Sequence, residues 1–527
     1  MNAQSHSPSA QQDAGMAALL KQIEALSPVE RETLTRLLKN EGFSGIRPVG
    51  ANLALSTDSY KASHYLQYPP DTTGMFSYIE SRGGRYERLV FFGLQMILKE
   101  YFSVPLTLQD VAKADALWQA HGLPFNREGF EYIVREHGGF FPLKIRALPE
   151  GTIVAPHIPM VTIECLDPKV YWCASWIEAL MLQLWYPTTV ATLSWHCKEV
   201  IRQFLEATSD DPESALAFKL HDFGYRGSTS PESAARAGLA HLVSFLGTDT
   251  AITLDAARRY YDLEGPVAFS IPAAEHSTIT SWGRDHELDA YRNMLDRFAR
   301  PGATVAVVSD SYNLFNAIDR MWGDALRQQV IDSGATIVIR PDSGDPVKIV
   351  QEAVERLDRA FGSDLNGKGF RVLKHVRIIQ GDGINQASIA DILRNLMEYG
   401  YSADNVAFGI GGALHQSVNR DTCRFAMKCS AVRIGEAWRD VYKDPVTDPE
   451  KRSKGGRLGV LRNKKTGELM TRYLDDQADC EAAAACGADC EDALETVWDH
   501  GKLIRPQNFP AIRARAAAER APVSVMP

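Results

Sequence analysis

No apolar run in the 527-residue chain reaches the roughly 18–20 residues needed to cross a bilayer. The opening MNAQSHSPSAQQDAG is polar and lacks the basic-then-apolar order of a secretion signal, so a cytoplasmic location is expected. Eight cysteines are too few for a disulfide scaffold at this length and suggest a reducing compartment. Cys480, Cys486 and Cys490 cluster in an Ala-rich acidic segment. No second cysteine pair or nearby His completes a zinc site there, and surface thiols are expected. Positive charge is also short, with 57 Lys and Arg against 66 Asp and Glu and a net charge of −9. That balance argues against nucleic acid as the main partner but allows a local basic pocket. The glycine fingerprint G-x-G-x-x-G of dinucleotide-binding sheets is absent after the first strand. The nearest approach to a phosphate-binding P-loop, GSDLNGKG, lacks the Ser/Thr for Mg²⁺ and follows a helix, so it reads as a surface loop.

What is present is ordinary globular material, 45% apolar and 23% charged, long enough for two to four domains. The segment to about Gly15 is expected to be disordered. MAALLKQIEAL then carries apolar residues at helical spacing. SPVERETLTRLLKN follows, with Ser27 as N-cap, Pro28 at the first helical position and Glu30 at the third. Residues 1–46 thus read as a disordered and helical extension. Up to Leu184 the pattern is mixed, with strands expected at FFPLKIRAL and MVTIECL and helices around FGLQMILKEYF and ASWIEALMLQLW.

Over the next 200 or so residues one device repeats: a short apolar run stops at polar, charged or glycine residues, and a helical stretch follows. The runs are ALAFKL before HDFGYRGS, PVAFSI before PAAEHST, ATVAVVS before DSYN, ATIVIR before PDSGDP, HVRIIQ before GDGIN, and NVAFG before IGGA. Strand, loop and helix in alternation mean a parallel sheet, and so many units suggest a (β/α) barrel with its active site at the C-terminal strand ends. Alternation alone does not separate a closed barrel from an open doubly wound sheet.

The strand ends collect Asp222, Phe223, Tyr225, Arg226, Asp249, Glu275, His276, Asp310, Arg340, Asp342, Gly381, Asp382, Gly411 and Gly412. Guanidinium groups bind phosphate oxygens bidentately. Short glycine loops before helices offer backbone N–H groups to a terminal phosphate. Aspartates can accept from sugar hydroxyls, and Phe223 and Tyr225 offer faces for a flat ring. Each residue alone has a plainer role. Asp310 or Asp342 could cap a helix, Arg226 or Arg340 could form a structural ion pair, and His276 or Phe223 could belong to the core. Gly383 and Gly409 could simply serve turns. Six successive strand ends carrying such groups point instead to a sugar-phosphate or polyphosphate site.

The runs TDSYKASHYLQYPP, KLHDFGYRGS, HLVSFLGTDT, SIPAAEHSTITSWGRDHE, VVSDSYN, IRPDSGDP, IQGDG, FGIGGALHQSVNRD and KDPVTDPEKRSKGGRL, in this order between about Leu53 and Leu503, resemble the nicotinamide phosphoribosyltransferase family. The acidic-pair–TTG loop of type I phosphoribosyltransferases is missing. The resemblance implies a type II fold: an incomplete (β/α) barrel over residues 185–420 and a second, mixed α+β domain from 47–184 together with 421–527. It also implies a cytoplasmic homodimer with active sites at the subunit interface, neither nucleic acid nor membrane as partner, and nicotinamide, 5-phosphoribosyl 1-diphosphate and ATP as ligands. Mg²⁺ would enter on the diphosphate, near Asp310, with no directly assigned metal ligand.

By the same resemblance, Phe223 stacks on the pyridine ring opposite Tyr60 of a second subunit, with Asp58 and Ser270 also at the substrate. Asp249 binds the carboxamide N–H and would repel a carboxylate, favouring nicotinamide over nicotinate. Arg226 and Arg340 hold phosphate groups, and Asp342, Gly381 and Asp382 the ribose region. Gly411, Gly412 and Arg420 take the 5′-phosphate, with Lys428, Lys443 and Lys451 as further basic contacts. His276 resembles a histidine phosphorylated by ATP, oriented by Glu275. Asp249, Asp310 and Arg340 complete the expected catalytic group. One departure stands before Lys428: Ala426 occupies a position where the family often has a hydroxyl.

Overall fold

The computed structural model describes residues 26–27, 50–447, 452–477, 481 and 489–525. The expected N-terminal helical hairpin, Lys451, Cys480 and Cys486 lie outside these.

Five of the six expected apolar runs contain barrel strands: Leu220–Asp222, Thr304–Val308, Thr336–Arg340, Val376–Gln380 and Val406–Ile410. A short strand, Gly247–Thr248, joins them. The sheet runs in the order 247, 220, 406, 376, 336, 304, with every pair parallel. Its strands are nearly continuous apolar runs because helices cover the outer face while the curled sheet encloses the inner one. ALAFKL differs from expectation. Its first half belongs to the helix Pro212–Leu216, capped by Asp211, and the strand starts only at Leu220.

PVAFSI departs further, since it makes no regular strand. Phe269 bridges Gly247 and Ala273 bridges Ala306, both in parallel sense, so this segment spans the gap between the two edge strands. Pro272 interrupts it and cannot donate to a ladder. The result is an incomplete barrel with one irregular stave. Its interior is lined by small apolar side chains, Ala306, Val338 and Ile379, with Phe223, Ile271 and Ala407 against them.

A seven-stranded antiparallel sheet stands beside the barrel. It is built from Ala437–Asp440, Phe425–Ile434, Thr72–Ser81, Val161–Cys165, Leu143–Ala147, Glu495–Asp499 and Lys502–Leu503, in that spatial order. Three strands from the N-terminal part of the chain form its centre and two from the C-terminal part flank them on each side, so neither part forms the sheet alone. The 24-residue helix Trp185–Thr208 packs on Pro231–His241 and Gln386–Glu398 of the barrel's outer layer. The helix Phe509–Ala517 is fastened below the barrel by Arg513, which donates to the carbonyls of Leu242 at 2.6 Å and Val267 at 2.7 Å. GSDLNGKG forms the turn and first strand of a hairpin, Ser363–Leu365 with Arg371–Leu373. Cys490 is disulfide-bonded, which corrects the expectation of free surface thiols at that position. Crowding of cysteines in that segment makes pairing available. Among the described residues no helix is long and apolar enough to cross a membrane.

Candidate active site at the barrel mouth

The C-terminal strand ends surround a cavity of about 690 Å³ lined by Phe223, Tyr225, Arg226, Gly227, Asp249, Thr250, Arg340, Asp342, Gly381, Asp382, Gly411 and Gly412. Nine of the residues singled out for substrate binding therefore meet here: Phe223, Arg226, Asp249, Arg340, Asp342, Gly381, Asp382, Gly411 and Gly412. Each follows a parallel strand, and the common strand direction sends all of these loops to one rim.

The floor is aromatic. Phe223 N–H donates to Ile410 O at 2.9 Å, which fixes the residue between two strands. Its ring lies over Gly409, where an added Cβ would stand 2.1 Å from Phe223 Cε2. Gly409 sits inside a regular strand, so its purpose is to admit the ring, not to make a turn. Gly383, by contrast, does occupy a turn that favours glycine, at φ 71°. The Arg340 guanidinium lies 6.0 Å from the Phe223 ring centroid and donates to Asp342 Oδ2 at 2.8 Å, leaving Nε buried without a partner. Ser270 Oγ donates to Asp249 Oδ1, so Ser270 reaches the site through that carboxylate.

His276 stands at the rim, its side chain 45% exposed. Nε2 lies 3.1 Å from Asp310 Oδ1, and Nδ1 lies 3.9 Å from Asp342 Oδ2. Asp310 is a hub: its other oxygen accepts from Asp342 N–H at 3.0 Å and Ser343 Oγ at 2.6 Å. Glu275 does not orient the imidazole. Its carboxylate is bonded to Ser277 Oγ and its N–H to Thr278 Oγ1, as a cap on the one-turn helix His276–Thr280. The serine and threonines after His276 thus serve the helix start.

Below the rim Asp222 is fully buried. Burial alone would push its carboxyl up, but His415, lying 2.9 Å away, and the Gly224 N–H at 2.8 Å hold it below the usual range.

A second, larger cleft of about 1300 Å³ lies on the other domain and shares no lining residue with the first. It gathers seven cationic side chains, Arg82, Arg420, Arg424, Lys428, Lys443, Arg452 and Lys454, against Asp421 and Asp440. Arg420, Lys428 and Lys443 were singled out in the sequence; Arg82, Arg424, Arg452 and Lys454 were not. Arg82 Nε is held by Glu80 at 3.2 Å while its Nη2 is buried without a partner. Burial lowers the pKa of the Lys428 ammonium. Ala426 lines the cleft. Asp58 and Tyr60 belong to neither cavity, and Tyr60 is 57% exposed with its hydroxyl 3.3 Å from Asp58.

The chain matches the nicotinate phosphoribosyltransferase family model over residues 218–484 and the N-terminal domain model of nicotinamide phosphoribosyltransferase over residues 52–145. It is 57% identical over 470 residues to the nicotinamide phosphoribosyltransferase of Xanthomonas campestris, covering 89% of this chain and 99% of that one. The chain belongs to the nicotinamide phosphoribosyltransferase family. A more distant relative, the nicotinamide phosphoribosyltransferase of Acinetobacter baylyi, is 30% identical over 500 residues, with 88% and 96% of the two chains covered.

Two solved structures share the fold of this phosphoribosyltransferase family member. The nicotinate-nucleotide pyrophosphorylase of Pyrococcus furiosus superposes with a TM-score of 0.56 at 16% identity over 91% of this chain and 97% of its own. Human nicotinic acid phosphoribosyltransferase does so with 0.54 at 17% identity over 88% and 93%.

Three of the four missed cations, Arg82, Arg452 and Lys454, had a readable signal. SRGGRYER and EKRSKGGR each set basic residues around paired glycines. Gly84 shows why: a Cβ there would lie 2.4 Å from Thr422 O, so the arginine loop can pass close to the 420–424 backbone only without a side chain.

Proposed function

We propose that this protein condenses nicotinamide with 5-phosphoribosyl 1-diphosphate to give nicotinamide mononucleotide and diphosphate, a step of NAD salvage. The observation that carries the reading is the pairing, in one cavity, of a ring platform with a carboxylate: Phe223 on its glycine bed, and Asp249 held by Ser270. An unprotonated pyridine nitrogen needs no general base. It attacks C1 of the ribose, the C1–O bond to diphosphate breaks, and diphosphate leaves with the electron pair. The protein's work is therefore alignment and stabilisation of charge on the leaving group. Arg226 and Arg340 hold phosphate, Asp342, Gly381 and Asp382 the ribose, and Gly411 and Gly412 the 5′-phosphate.

Charge partition supports a homodimer. The mouth and its hub carry Asp249, Asp310, Asp342 and Asp382 against Arg226 and Arg340, an acidic balance ill-suited to a polyanionic substrate alone. The cationic cleft has the opposite balance. Two copies facing each other would set Arg420, Lys428 and Lys443 of one against the mouth of the other, with Asp58 and the exposed Tyr60 closing over the ring. Mg²⁺ carried on the diphosphate would supply further charge neutralisation beside the mouth's carboxylates. His276, exposed at the rim, takes the γ-phosphoryl of ATP on a ring nitrogen with ADP leaving, and water later releases phosphate. The free cysteines among the described residues, Cys165, Cys173, Cys197, Cys423 and Cys429, suit a reducing, cytoplasmic compartment.

The test is a paired assay of purified protein with nicotinamide and nicotinate. Nicotinamide is expected to be strongly preferred. Preference for nicotinate would overturn the role of Asp249, and no nucleotide from either base would leave a non-catalytic binding protein.

A further inference from the structure

Beneath the mouth lies a buried side-chain cluster with no part in the chemistry above. His415 ends the short helix Gly412–His415, and its side chain is fully enclosed. Its Nε2 lies 2.9 Å from Asp222 Oδ1 and its Nδ1 lies 2.5 Å from Ser228 Oγ. Ser228 Oγ also stands 3.2 Å from Gly224 O. The imidazole slides under Gly224, where a Cβ would meet His415 Cδ2 at 2.5 Å, so the glycine is required by the ring below it. Tyr186 OH donates to His415 O at 3.0 Å from the helix behind.

Three pieces of the site meet at this imidazole: the strand end at Asp222, the 223–228 loop bearing Phe223 and Arg226, and the Gly411–Gly412 loop. They are not equally dependent on it. Asp222 keeps Gly224 N–H at 2.8 Å and Thr248 Oγ1 at 3.3 Å without His415, and Phe223 keeps its bond to Ile410 O. Removing the imidazole leaves the ring platform fastened. The glycine loop is rooted at Ile410 by the Phe223 bond, but beyond that point its bonds run within the turn, from Leu414 N–H to Gly411 O and from Gln416 N–H to Gly412 O, so the far side of the loop meets the 223–228 loop through His415.

We propose that His415 is a positioning residue, which, through Asp222 and Ser228, sets the separation between the phosphate loop Gly411–Gly412 and the loop carrying Phe223 and Arg226. This rests on the phosphoribosyl-transfer reading. Loss of the tether should weaken grip on the 5′-phosphate and spare the pyridine ring.

Steady-state kinetics of the full-length enzyme decides it, with the wild type as the first measurement. Activity of the wild type upholds the underlying reading; its absence sinks that reading before any variant is considered. His415→Leu, near in volume but without ring nitrogens, is expected to raise KM for 5-phosphoribosyl 1-diphosphate about ten-fold, the scale of losing the Ser228 hydrogen bond together with the close approach to the buried Asp222 carboxylate. KM for nicotinamide should move less than two-fold. Equal rises in both constants, or none, would overturn the proposal. If His415→Leu shows no cooperative melt, Ser228→Ala decides instead, because it keeps the buried pair. Its expected effect is a selective rise of about three-fold, with Ser228→Thr restoring the wild-type value. An unselective or absent effect in Ser228→Ala overturns the assignment.

Discussion

Gly409→Ala is the sharpest perturbation this site offers. The new methyl would stand 2.1 Å from Phe223 Cε2, 2.2 Å from Cδ2 and 3.0 Å from Cζ. Carbon atoms settle at about 3.5 Å or more, so the ring must withdraw by roughly 1.4 Å. It can withdraw in one direction only, because Gly409 closes one side and the cavity opens on the other. The stability cost should then fall at the low end for overpacking, about 1 kcal/mol. The retreating ring occupies space the substrate ring needs. An aromatic stack contributes about 0.5–1.5 kcal/mol beyond area burial, so KM for nicotinamide should rise roughly two- to ten-fold. In a Phe223→Ala background the same glycine substitution should add nothing, since the clash is gone. Thermal melting checks the first figure and steady-state kinetics on single and double variants the second. A folded Gly409→Ala enzyme with wild-type KM for nicotinamide would refute the ring platform itself.

Three further outcomes follow from the same geometry. His276→Ala should abolish stimulation by ATP while leaving basal synthesis; retained coupling, read with ATP and nucleotide assays side by side, removes the phosphoryl-acceptor role. Arg340→Ala and Arg420→Ala, each inactive alone, should regain part of the activity when mixed and allowed to exchange subunits, whereas silence of the mixture contradicts a site shared across a dimer. Burial drives the fully enclosed His241 and the nearly enclosed His196 down to about 4, so both remain neutral in the folded state where unfolded histidine is charged. The unfolded chain binds more protons between about pH 6.5 and 4. Stability is therefore complete above that window and lost as pH falls through it, by up to about 3 kcal/mol for each residue. Melts of wild type and His241→Gln from pH 7 to 4 measure it, and an unchanged pH slope in the variant discounts His241.

The strand-end residues were legible because a parallel barrel delivers every strand–helix loop to one rim, whatever its position in the chain. Phe223, Asp249, Arg340, Asp382 and Gly412 could be gathered from sequence for that reason alone. Gly409 was misread because a glycine near a strand end looks like a turn, and only the overlying Phe223 ring reveals a packing role. PVAFSI was misread as a strand because its apolar composition matches one, while its pairing is limited to two bridges by Pro272 and by the gap it must span. Glu275 looked like a partner for His276 through adjacency, yet adjacent side chains at a helix start diverge. The imidazole's partner, Asp310, comes from the next strand end. His415 carried no local signal, since its partners lie nearly two hundred residues earlier and meet it only when the 220 and 406 strands pair.

Across the site, the means of holding each group follow from its chemistry. A neutral flat ring can be gripped only by shape, and there the protein supplies rigid packing: a phenylalanine set on a glycine and tied to Ile410. On the proposed reading phosphate is gripped by charge and by backbone N–H groups, which tolerate small displacements, so the Gly411–Gly412 loop, rooted at Ile410, can rest its far side on a buried imidazole. The proposed phosphoryl acceptor must meet a passing nucleotide, and His276 is half-exposed while its orienting carboxylate, Asp310, is buried at 5% exposure. That inversion, an exposed imidazole on a buried anchor, lets the ring keep a fixed direction without being closed to solvent. It also explains why Asp310 spends both oxygens inside the protein: a carboxylate bonded on both sides cannot swing away from the ring it holds.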